Sequence, residues 1–180
     1  MWSCVGVLVK FASQWVDSSI ITFCRFFFGV LFLSAFILIK DKKLSVNFSY
    51  RWIWIGAIGK CINYIFENLG VSMGYTYSQV LVYPASITFL VLITCFYFKE
   101  KISARSWFAI GLCLIGMFFV GWNGKPLSFI LKTNGFISLI FIISAFGSSI
   151  HYLSQKILIE NLESGKMNLS AFLIATVITA

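Results

Sequence analysis

Six apolar runs, separated by short connections that hold most of the charge, are what most constrains the fold of this chain. They cover Met1 to about Gln14, Ser19 to Ile39, Trp52 to Met73, Ser78 to Phe98, Trp107 to Trp122 and Asn134 to about Leu158. A seventh begins at Met167 and runs to Ala180. Most reach or approach the ~20 residues that carry a helix across a hydrocarbon core. The first is short, spanning roughly 21 Å at 1.5 Å per residue against a core of about 30 Å. It has neither a basic leader nor a small-residue cleavage site, so it makes a poor signal peptide. Composition agrees with a lipid solvent: 59% of residues are hydrophobic, 11% charged, and mean hydropathy is +0.92. Soluble domains are roughly half apolar and a quarter charged, so a water-soluble fold would have almost no surface to offer. The chain reads as all-α, a polytopic transmembrane helix bundle.

The formal charge of +8 raises the question of nucleic acid, and the positions of the charges answer it. Lys40, Lys42, Lys43 and Arg51 cluster in one connection, and Lys99, Lys101 and Arg105 in another. They punctuate apolar runs instead of lining a helix face, which is the positive-inside pattern of cytoplasmic loops. Nucleic acid is excluded as a partner; the lipid bilayer is the expected one. The intervening connections carry only Asp17, or no charge at all around Gly74–Tyr77. The amino terminus and the loops at 40–51 and 99–106 are therefore expected on the cytoplasmic side of the plasma membrane. The connection 123–133, with Lys125 and Lys132, then faces outward, a weak departure from the rule. Cys4, Cys24, Cys61, Cys95 and Cys113 lie far apart in apolar segments with no Cys-x-x-Cys, so they read as small hydrophobes without metal or disulfide.

The third run is the least like a plain membrane anchor. Lys60, Asn63, Tyr64, Glu67 and Asn68 stand at i, i+3, i+4, i+7 and i+8, so a helix gathers them on one face. A lysine and a glutamate at the depth of lipid tails each cost several kcal/mol unless partners or water receive them. Such a stripe either lines a polar cavity or glues helices together. Lys10 in the first run shares a face with Ser3, Gly6 and Gln14. Arg25, with Thr22 and Gly29 in the second, serves either as an interfacial anchor or as a substrate contact. The sixth run places Ser144, Ser148, His151, Tyr152 and Gln155 near one face. His151, the single histidine, suits either proton coupling or a plain hydrogen bond within the bundle.

Pro84 in the fourth run frees the carbonyl of Val80 and predicts a helix kink, with or without a gating role. In the fifth run Gly111, Gly116 and Gly121, with Ala109 and Cys113, predict close helix packing. Gly121-Trp122-Asn123-Gly124-Lys125 has the wrong spacing for a phosphate loop and lacks the following Ser or Thr, so no ATPase is encoded. No Gly-x-Ser-x-Gly elbow or acidic orienter accompanies the serines and His151, which argues against hydrolase chemistry. The sequence calls for no enzyme and no cofactor.

Several short motifs then fall in a telling order. Trp2-Ser3-x7-Lys10, Phe23-x-Arg25-Phe26, Gly70-Val71-Ser72-Met73-Gly74-Tyr75-Thr76-Tyr77-Ser78, Pro84, Phe98-Lys99-Glu100-Lys101-Ile102, Trp107, Gly111 and Gly116 together span 2–122. Their sequence and spacing resemble the drug/metabolite transporter superfamily, EamA type. The resemblance implies a ten-helix transporter of two inverted five-helix repeats, with a central cavity for small metabolites such as amino acids. On that basis 1–122 is the first five-helix repeat, 123–133 the connecting loop, and 134–180 the start of a second repeat. Because most of that second repeat is missing after Ala180, the chain is expected to be a fragment or a nonfunctional remnant. Its partner would be a small-molecule substrate, together with a second copy or the missing half. The expected pathway residues are Lys10, Lys60, Asn63, Tyr64, Glu67, Asn68 and His151. The rival reading is a non-transporting membrane scaffold, in which the stripe is bundle glue.

Overall fold

A computed structural model describes residues 2–74, 82–99, 101–122 and 135–180. The turn at 75–78, Val80, Glu100 and the 123–133 connection with Lys125 and Lys132 lie outside the described residues. Among those described, every regular element is an α-helix: α1 (Trp2–Ala12), α2 (Ser18–Asp41), α3 (Arg51–Met73), α4 (Val82–Tyr97), α5 (Ala104–Trp122), α6 (Gly135–Leu158) and α7 (Ser164–Thr179).

Local chemistry sets several of the helix ends. Helix α2 stops at Lys42, whose backbone turns left-handed at φ 52° while its N–H returns to the Leu38 carbonyl. Helix α5 starts at Ala104 and not at Trp107, where the apolar run begins. The Ser106 N–H is shared between the Ser103 carbonyl at 3.0 Å and the Ser103 hydroxyl at 3.3 Å, which closes the first turn. Helix α7 likewise begins at Ser164, earlier than the apolar run at Met167. Its polar first turn holds a Lys166–Glu163 ion pair at 3.3 Å. Between α2 and α3 the chain is irregular, and the Asn47 N–H donates to Ser170 Oγ at 2.9 Å, tying that connection to α7.

Among the described residues two helices, Ser18–Asp41 and Phe136–Leu158, are long and apolar enough to cross a membrane by length and composition, against the six crossings expected from the apolar runs. The polar stripe lowers the hydropathy of α3. Helices α4 and α5 stay apolar but are shorter over their described residues.

The bundle centres on an antiparallel α3–α6 pair, with α2, α4 and α7 packed around it. Glycines let the two backbones nearly touch. A Cβ built on Gly59 would lie 2.8 Å from the Gly147 carbonyl oxygen, and one on Gly147 would lie 2.7 Å from that of Gly59. Small residues at such crossings are how membrane helices gain contact when lipid supplies no hydrophobic drive between them. The fifth-run glycines were expected to do this and do not: Gly111 and Gly116 face open space, with nothing within 4 Å of a Cβ built on either. Helix α5 sits on the flank beside α4, with Phe108, Leu112, Phe118 and Phe119 exposed.

Buried polar groups stand among the apolar core clusters, and the outside is apolar as well. Ser144, Ser149, Ser170, Asn68 and Thr22 are almost fully buried, while Phe108, Leu112, Ile115 and Phe119 cover the outside. An apolar exterior around a hydrogen-bonded interior is stable where the surrounding solvent is lipid.

Candidate functional site

The whole third-run stripe points inward. Lys60 is 8% exposed, Asn63 3%, Tyr64 8%, Glu67 4% and Asn68 1%. Its members then divide by what they meet.

Asn63 faces α6. Its amide donates to the Ser144 hydroxyl at 2.9 Å and to the Ser144 carbonyl at 3.2 Å, and the hydroxyl donates back to the Asn63 carbonyl at 3.0 Å. Asn68 faces α2, donating to Thr22 Oγ1 at 2.7 Å and accepting from the Arg25 guanidinium at 2.7 Å. Arg25 also lies over the Tyr64 ring, 3.9 Å from its centroid, and Phe26 stacks on the same ring at 5.0 Å. Arg25 is thus an interior contact on α3. Asn63 and Asn68 both tie helices together.

Lys60 is placed differently. Its ammonium stands 4.6 Å from the Tyr64 centroid, within the electrostatic reach of Glu67 and Arg25. Lys60, Tyr64 and Tyr152 form a partition shared by two spaces. Behind it is a cell of about 10 Å³ that also touches Asn63, Glu67 and Tyr83, room for about one water molecule. In front is a cavity of about 550 Å³. Gly29, Phe32 and Phe36 of α2 form one wall of it, and Phe172 of α7 another.

His151 also lines this cavity, with Gln155 and Asn168. The Gly56 carbonyl, 3.1 Å from His151 Nδ1, can only accept, so the ring proton sits on Nδ1. His151 Nε2 is then free to accept from the Gln155 amide at 3.1 Å. The second hydrogen of that amide goes to Asn168 Oδ1 at 2.6 Å. A neutral imidazole and two amides form a short wire along the cavity wall.

Lys10, an expected pathway residue, and Pro84, the expected helix kink, lie elsewhere. The Lys10 ammonium donates to the carbonyls of Ser72 at 2.7 Å and Gly74 at 3.0 Å, closing the carboxyl end of α3. A cation there meets orphan carbonyls and the negative end of the helix dipole. Pro84 sits in the first described turn of α4, where the Thr88 hydroxyl donates to its carbonyl at 2.9 Å.

Sequence reasoning missed Asn168 and the Gly59–Gly147 crossing. Asn168 lies inside the seventh run, and its partner Gln155 comes from another helix, so no spacing within its own run marks it. The crossing had a signal: Gly56, Gly59 and Gly70 lie on the inward face of α3 together with the stripe.

An all-helical bundle with an apolar surface, buried hydrogen-bonded polar groups and an open cavity at a buried lysine defines a polytopic membrane protein. The family model of the EamA-like transporter family matches residues 1–122, and the chain belongs to that family. No curated protein and no solved structure matches it. Family membership makes it a membrane-embedded transporter in general terms.

Proposed function

We propose that the chain carries small polar or amphipathic metabolites across the plasma membrane by alternating access, driven by gradients and not by nucleotide hydrolysis. The observation that carries this reading is the cavity of about 550 Å³ that opens beside the buried Lys60. A soluble-style core has no use for such a space, and a membrane bundle that kept it for packing alone would forgo dispersion contacts along its whole lining. In this reading Lys60 attracts an anionic group of the cargo, and Glu67, behind the Lys60–Tyr64–Tyr152 partition, holds a proton. Helices α3 and α6 move as one unit because glycine contact and the Asn63–Ser144 bonds lock them together. The amino terminus and the Lys40–Arg51 connection lie on the cytoplasmic side.

The scaffold reading draws its support from Asn63, Asn68 and Arg25, all of which are spent on interhelical bonds. It accounts for those residues and leaves the cavity unexplained. Uptake into proteoliposomes holding the purified full chain separates the two. Transport that falls at least tenfold in Lys60→Ala and Glu67→Ala, in protein that still elutes as a single species, supports the proposal. Wild-type transport in both variants would remove these residues from the pathway, and unfolding without any specific transport defect would favour the scaffold.

A further inference from the structure

The charges around the cavity do not balance. Lys60 has Arg25 and Glu67 as its charged neighbours, so ionised they are two cations against one carboxylate. Deep in a bundle surrounded by lipid, one uncompensated positive charge is costly, and an anion entering the cavity would cancel it. Lys60 is also the one lysine, arginine or carboxylate among the described residues that line the open cavity; Glu67 touches only the small cell behind the partition.

The remaining lining has two characters. Phe32, Leu33, Phe36 and Phe172 are apolar and lie opposite His151, Gln155 and Asn168. Gln155 gives both amide hydrogens to His151 and Asn168, which fixes the Asn168 carbonyl oxygen toward Gln155. No carboxylate on the polar side could receive an ammonium group. The approach is also electropositive. The cavity lies toward the end of the bundle where α2 and α6 end and α3 and α7 begin, and the residues there are Lys40, Lys42, Lys43, Arg51, Lys156 and Lys166 against Asp41, Glu160 and Glu163, a net positive balance. Clustered charge of one sign raises the local concentration of the opposite ion.

We infer that the open cavity takes an amphipathic organic anion, with a single carboxylate on Lys60 and a ring or aliphatic tail against Phe32, Phe36 and Phe172, in preference to a zwitterionic amino acid. The inference rests on the transport reading for its biological meaning, but binding tests it separately. Phenylalanine, with its α-ammonium, would add a second cation to a site that already has one in excess. 3-Phenylpropionate has the same tail and only the carboxylate, and phenethylamine has only the amine.

The test measures equilibrium binding of these three labelled compounds to the full chain in nanodiscs, and uptake of the same compounds into proteoliposomes. Binding of 3-phenylpropionate at least tenfold tighter than phenylalanine, with no measurable binding of phenethylamine, is expected. Lys60→Met should abolish it, and Lys60→Arg should restore part of it. Phe32 is 73% exposed, so Phe32→Trp narrows the cavity without disturbing the core and should weaken binding severalfold in a folded protein. Equal or tighter binding of phenylalanine or phenethylamine, or no binding of any of the three, overturns the inference. Tight carboxylate binding without uptake leaves it standing and overturns the transport reading. Uptake of the zwitterion in preference to the acid does the opposite.

Discussion

Two faces of α3 carry polar residues, and they are built on different terms. The face toward α6 is closed: Gly59 and Gly147 touch, and Asn63 exchanges three hydrogen bonds with Ser144. A fraction of a turn away, Lys60 and Tyr64 look toward α2 and α7 across a cavity of about 550 Å³. The closed face satisfies its polar groups with protein. The open face leaves a cation beside a space. A single amphipathic stripe thus serves both as glue and as a lining, and neighbouring residues of the same helix take opposite parts.

The sharpest way to break this contrast is to add one methyl group at the closed face. Gly59→Ala puts a Cβ 2.8 Å from the Gly147 carbonyl oxygen, and overpacking of this kind costs about 2–3 kcal/mol. Thermal unfolding in detergent should show the loss, and an unchanged midpoint would mean that the two helices do not cross there. Next in size, Asn63→Ala removes the Asn63 amide bonds to Ser144 and should cost about 1–2 kcal/mol, near the upper range for hydrogen bonds within membranes. Destabilisation comparable to that of Gly59→Ala would show that polar bonding, and not close approach, sets the seam.

The open face should respond in another currency. Lys60→Met relieves a buried cation that already has Arg25 as a charged neighbour, so stability should change by no more than ~1 kcal/mol. A loss on the scale of Gly59→Ala would make Lys60 structural and erase the distinction between the faces. The smallest effect belongs to Gly116→Ala on α5. Nothing lies within 4 Å of the added Cβ, so the midpoint should hold or rise, by at most the ~1 kcal/mol that alanine gains over glycine in a helix. Marked destabilisation there would reveal a partner on the α5 flank.

Much of the architecture was legible because periodicity and hydropathy are local properties. The apolar runs anticipated the helices, and the i, i+3, i+4, i+7, i+8 spacing put Lys60 to Asn68 on one face, which the structure turns inward. Lys10 was harder to read. A lysine in an apolar helix has the same sequence signature whether it faces a cavity or the end of another helix, and here it caps α3 through Ser72 and Gly74, more than 60 positions away. Glycines raised the same ambiguity: the regular spacing in α5 looked like packing, but the crossing formed at Gly59 and Gly147.

By itself, the sequence determined the solvent this protein must meet and the face of α3 that cannot meet it. Both follow from the cost of moving charge and backbone polarity into hydrocarbon, which any chain with these residues faces whatever its tertiary fold. Only the tertiary structure decided which members of the stripe are satisfied by protein and which stand at the edge of a cavity. That depends on what arrives from the other helices: a serine hydroxyl opposite Asn63, a threonine and an arginine at Asn68, and an open space in front of Lys60.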